Sequence, residues 1–83
     1  MFYTYILFSA KLNRYYIGFT EGSVKLRLSK HLSNHKGFTS KAKDWTIVYT
    51  QAFNTKQLAM LREKEIKAWH NRKMIEELIN SIE

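Results

Sequence analysis

Two runs of aromatic and β-branched residues, FYTYILF at 2–8 and RYYIGFT at 14–20, are separated only by the polar stretch SAKLN. Both compositions favour strands, and a gap of about five residues makes the pair a hairpin. The rest of the chain is then read as what packs around that hairpin.

The spacing of apolar residues changes next. In EGSVKLRLSKHLSNHKG, Val24, Leu28 and Leu32 recur every four residues, with Ser23 in an N-cap position and Gly37 a little past the end. This predicts a helix over 23–34, its other face carrying Lys25, Arg27, Lys30 and His31. The polar and basic stretch GFTSKAKD (37–44) reads as a loop, and WTIVYTQAF (45–53) as a third strand. Asn54 or Thr55 is placed to cap a long helix whose apolar side is marked by Leu58, Leu61, Ile66 and Trp69. A break at 70–72 precedes a short amphipathic helix with Met74, Ile75, Leu78, Ile79 and Ile82. The expected architecture is α+β, a small three-stranded antiparallel sheet flanked by helices in the order β-β-α-β-α-α. At 83 residues, the whole of 1–83 is expected to be one domain with one small core.

Several classes are disfavoured at once. There is no cysteine, so no disulfide or thiolate zinc site can support the fold, which fits a reducing interior. No apolar run approaches the roughly 20 residues of a membrane span, and MFYTYILFSA lacks the basic region of a secretion signal. The expectation is a soluble, cytoplasmic protein. The net charge of +7 is unevenly placed: residues 1–60 hold nine bases and two acids, and the remainder holds five of each. A basic surface on the first two thirds favours a polyanion such as nucleic acid as partner.

Strand alternation puts Tyr3 and Tyr5 on one face of the first strand. In the second strand Tyr16 and Gly18 share one face, and Tyr15, Ile17 and Phe19 the other. With Ile17 and Phe19 toward the core, Tyr16 faces away from it, beside a glycine that lets a backbone or ligand come close. On the first helix Arg27 and His31 are i and i+4, a spacing that suits a joint phosphate contact and equally an ordinary solvated face. Glu63 stands i, i+4 from Lys67, as surface ion pairs do, while Glu65 lies about 200° further round the helix. His31 and His35 also have i, i+4 spacing, but no third ligand accompanies them, so zinc is not expected. Trp45 and Trp69 are read as core residues, and Phe38 with the lysines of the 37–44 loop as contacts to DNA.

Tyr3-Thr4-Tyr5, followed by Tyr16-Ile17-Gly18, then Arg27 in the first helix and Glu63 in a later one, resembles the motif set of the GIY-YIG nuclease superfamily. The likeness covers roughly residues 2–80 and is closest to small stand-alone bacterial members related to the endonuclease domain of the excision-repair nuclease subunit. It implies an endonuclease that hydrolyses phosphodiester bonds in DNA, with RNA also admissible, in DNA repair or processing. Under it, Tyr16 activates the attacking water as base or by orienting it, and Tyr5 lines the same pocket. Arg27 holds the scissile phosphate, His31 faces the site, and Glu63 binds one divalent ion, magnesium or manganese. Lys25, Lys30, Lys41 and Lys43 become nucleic-acid contacts, and a partner protein could supply targeting.

The residue chemistry is consistent with that set. A phosphodiester transition state gathers negative charge, which a guanidinium and a metal ion stabilise. A phenol with a pKa near 10 needs a nearby cation to act as a base. The alternative reading is a non-catalytic nucleic-acid binding module of the same fold; a third, a protein-interaction domain, has only the charged later helix behind it. Two departures stand out: Tyr3 and Thr4 replace the glycine and isoleucine of the first motif, and Tyr16 and Arg27 are one residue further apart than is common. The expectation is that the extra residue lies in the loop before the helix, because inside the helix it would turn Arg27 about 100° away. Asn71, and less so Asn80, is the candidate for an asparagine that the family often carries late in the chain.

Overall fold

The computed structural model describes residues 1–33 and 37–81. Strands β1 (Phe2–Ser9), β2 (Arg14–Glu21) and β3 (Thr46–Phe53) form one antiparallel sheet in the order β2-β1-β3. Helices α1 (Val24–Ser33), α2 (Lys56–Ala68) and α3 (Arg72–Asn80) complete the expected α+β order. The end of the first helix at residue 34, His35, Ile82 and the side chain of Phe38 lie outside the described residues.

The hairpin closes through a turn in which Asn13 takes a positive φ of 53°. Asp44 holds it from outside, accepting from the Ser9 hydroxyl at 2.6 Å and from the Lys11 amide at 2.8 Å. Both helix starts read from the sequence are in place. The Ser23 hydroxyl accepts from the Leu26 amide at 3.3 Å and that of Thr55 from the Leu58 amide at 3.2 Å, each satisfying a first-turn N–H.

The sheet is covered on both faces. Tyr5, Leu7, Val24 and Trp45 form a buried cluster on the α1 side, joined by Tyr3, Tyr16, Leu28 and Ile47. Ile6, Tyr49 and Ile66 form the other, joined by Tyr15, Ile17, Trp69 and the α3 residues Ile75, Leu78 and Ile79. Tyr16 therefore does not face away from a core; it packs against a second one. Period-2 alternation tells the two faces of a strand apart, but not which of them is covered.

Two further expectations change. Leu58 and Leu61 are 48% and 62% exposed, and the buried line of α2 runs instead through Ala59 and Ile66. The stretch 37–44 is not featureless: Phe38–Lys41 makes a short 3-10 turn. No helix among the described residues is long and apolar enough to cross a membrane.

Candidate active site

The α1 face of the hairpin places Tyr5 directly opposite Gly18. The Tyr5 ring crosses over that glycine so closely that a Cβ there would stand 2.7 Å from the Tyr5 hydroxyl, 2.8 Å from its Cζ and 3.2 Å from Cε2 of Tyr16. Only glycine admits this approach. Tyr5, 1% exposed, reaches across to α1, where its hydroxyl lies 2.9 Å from Nε2 of His31. Tyr16 completes the group, its ring centroid 6.4 Å from that of Tyr5 and 4.9 Å from that of His31, edge-on to the imidazole.

The hydrogen bonds through this group have a direction. Burial raises the Tyr5 pKa above its usual 10.0, against the opposing effect of the Arg27 guanidinium, so the phenol keeps its proton at neutral pH. The Arg27 guanidinium acts on the phenol oxygen only as a donor, and the direction we assign has the phenolic O–H donating to Nε2 of His31. Burial and the charge of Arg27 lower the His31 pKa, which keeps the ring neutral. A neutral ring that accepts at Nε2 carries its proton on Nδ1, and that proton goes to the Thr39 hydroxyl at 3.0 Å. Thr39, 3% exposed, is fixed in turn by its own carbonyl, which accepts from the Trp45 indole N–H at 3.0 Å. Thr39 was not legible as a site residue. Its loop carries no motif, and eight residues separate it from the histidine it touches.

Arg27 faces this group although the spacing from Tyr16 is long. α1 is regular from Val24, and Gly22, at φ +79°, turns the chain just before the Ser23 cap. Arg27 acts on both Tyr5 and His31.

Glu63 comes from α2, on the opposite side of the sheet, and its charge still reaches Tyr5. Its side chain is only 14% exposed and pairs with Lys67 at 3.4 Å, the i, i+4 contact the sequence predicts. What seats α2 is Thr4, whose buried hydroxyl donates to the Ala59 carbonyl at 2.7 Å, one helical turn before Glu63. The threonine that departs from the family's first motif thus docks the helix carrying Glu63. Among the described residues no three His, Cys, Asp or Glu side chains gather as ligands, and both nitrogens of His31 are engaged. One sheltered carboxylate suits a magnesium or manganese ion that keeps most of its waters.

Of the basic candidates, Lys25, Lys30 and Lys41 are exposed, and Lys30 shares with Arg27 a cleft of about 420 Å³ beside Gly22 and Ser23. Lys43 donates to the Leu32 carbonyl at 2.7 Å and ties the 3-10 segment to the end of α1. The Asn71 side chain caps α3, accepting from the Met74 amide at 3.3 Å. Asn80 lies with Tyr15, Glu76 and Ile79, on the α3 side.

Residues 1–76 match the model of the GIY-YIG catalytic domain. The solution NMR structure of the UPF0213 protein BH0048 from Bacillus halodurans superposes with a TM-score of 0.61 at 31% identity, covering 99% of this chain and 86% of the other. No curated protein matches the chain.

Proposed function

Because the chain belongs to the GIY-YIG catalytic domain family of nucleases, we propose that it is a single-domain, metal-dependent endonuclease hydrolysing phosphodiester bonds in DNA. The observation that supports this most is the convergence of Tyr5, Tyr16 and His31 on one face, with the charges of Arg27 and Glu63 both reaching Tyr5.

In this reading Arg27 grips two oxygens of the scissile phosphate, where the fork geometry of guanidinium suits the charge that develops in the transition state. Tyr16 activates the attacking water, as general base or by orienting it, with its ring held edge-on against the neutral His31. Tyr5, held protonated, acts as a donor and keeps His31 in place. Glu63 would hold one magnesium or manganese ion, which when bound supplies positive charge to the phosphate and leaving oxygens. Water attacks phosphorus, the bond to the leaving oxygen breaks, and that oxygen takes up a proton. Lys25, Lys30, Lys41 and Lys43 bind flanking phosphates. The proposed setting is DNA repair or processing in the cytoplasm, with a partner protein supplying any targeting.

The test is a nicking assay of supercoiled DNA with and without magnesium. Cleavage that needs the metal, disappears in Glu63→Ala and drops strongly in Tyr16→Phe supports the proposal. Cleavage surviving both substitutions refutes the mechanism, and intact DNA with salt-sensitive retention in a gel shift supports the non-catalytic binding module instead.

A further inference from the structure

Residues 61–83 carry no net charge, five bases against five acids, and on that count offer nothing to a polyanion. Folding sorts those charges. The turn between β1 and β2 and the turn between α2 and α3 meet at an open cleft of about 500 Å³, edged by Arg14, Lys67, His70 and Arg72 over a floor of Ile17, Ile66 and Ile75. No carboxylate lines it. Glu65 is drawn off to Arg62, and Glu76 pairs with Arg72 and accepts from the Tyr15 hydroxyl.

The cleft is also held in shape. Arg72 donates to the Asn13 carbonyl at 2.8 Å and to its side-chain oxygen at 2.7 Å, locking one turn to the other. Asn13 and His70, the non-glycine residues with positive φ among those described, stand at 53° and 46°, one in each turn. The Arg14 side chain makes no hydrogen bond or ion pair among the described residues, while its backbone pairs with Ser9 in the sheet. Lys67 pairs with Glu63 at 3.4 Å and so stands against the carboxylate proposed to hold the metal.

We propose that this cleft is a second phosphate-binding subsite, which takes the strand backbone beside the cut through Arg14 and Lys67. The inference rests on the nuclease reading above and adds a contact on the α2–α3 side of the sheet, away from the lysines of the first helix. Because it reads phosphate and not bases, it adds affinity without sequence preference.

The experiment is fluorescence-anisotropy titration of a labelled oligonucleotide duplex with full-length wild type, Arg14→Gln and Lys67→Gln over a range of salt, with magnesium omitted. Thermal melting of each variant confirms the fold. Each substitution is expected to weaken binding several-fold for every sequence tried and to reduce the slope of log K against log salt by about 0.9. In amide spectra of the wild type, signals of Asn13, Arg14, His70 and Asn71 should move on adding the duplex. Wild-type binding with unchanged slopes in both variants and still signals in the cleft overturns the subsite while leaving the nuclease reading intact. Failure of the wild type to bind or cut DNA at all overturns both.

Discussion

The Tyr5 hydroxyl and Nε2 of His31 stand 2.9 Å apart in the interior, and the other nitrogen of that imidazole is committed to Thr39 at 3.0 Å. Tyr5 can therefore donate to a fixed acceptor only while Thr39 holds the proton on the far side of the ring. Replacing Thr39 with valine, which cannot accept, should release the tautomer and lower nicking by about tenfold, as loss of an outer hydrogen-bond partner commonly does. Serine should restore it. Nitrogen chemical shifts of the His31 ring give a direct reading: a ring equally protonated on Nδ1 in wild type and Thr39→Val would refute the assignment.

Gly18→Ala inserts a methyl group 2.7 Å from the Tyr5 hydroxyl, on a strand that cannot simply step aside. Overpacking of this kind costs about 1–3 kcal/mol. Thermal melting should show that loss, and nicking should fall further than stability does because the displaced ring belongs to the site. A variant with wild-type melting and wild-type activity would mean that the close approach is not required.

Thr4→Val keeps the shape of the side chain and removes its bond to the Ala59 carbonyl. The expected loss is about 1 kcal/mol in urea denaturation, since the carbonyl retains its place in the helix ladder. The sharper expectation concerns Glu63, one turn on: the metal concentration needed for half-maximal nicking should rise. An unchanged metal requirement would show that Thr4 anchors the helix without tuning the carboxylate.

Stability should fall as the solution is acidified below about pH 6.5, and His31 is the cause. Burial first and Arg27 second lower its pKa in the folded protein, so between the folded and unfolded values the unfolded chain binds more protons. Stability therefore rises with pH through that window and is lost as pH falls through the folded value. Urea midpoints measured from pH 7.5 to 5 should show this slope in wild type and a shallower one in His31→Gln. Equal slopes would assign the effect to other groups.

What the sequence disclosed, and what it withheld, follows from the range of the interactions involved. Ser23 and Thr55 were readable as caps because a cap bonds an amide three residues away. Arg27 and Glu63 were readable through motif order, although the bond from Thr4 that positions Glu63's helix spans 55 residues and leaves no local trace. Leu58 and Leu61 misled because four apolar residues on a helix admit more than one stripe. The stripe that packs was chosen by Ala59, which is small enough to bring the helix backbone to Thr4. Thr39 was hidden for the same reason as Thr4, since its partner is fixed only once the loop folds back on α1.

β1 comes first in the chain and lies in the middle of the sheet, with β2 on one flank and β3 on the other. A ribosome releases the N-terminal end first, so the centre of the fold waits for its borders. On one side they arrive within a hairpin; on the other they arrive only after α1 has emerged. The site is filled in the same sequence: the two tyrosines, then the arginine and histidine, and the carboxylate last. A nascent chain that has brought Tyr5, Tyr16, Arg27 and His31 together still lacks Glu63, so under the proposed mechanism the metal-holding carboxylate is the last part of the site to be made.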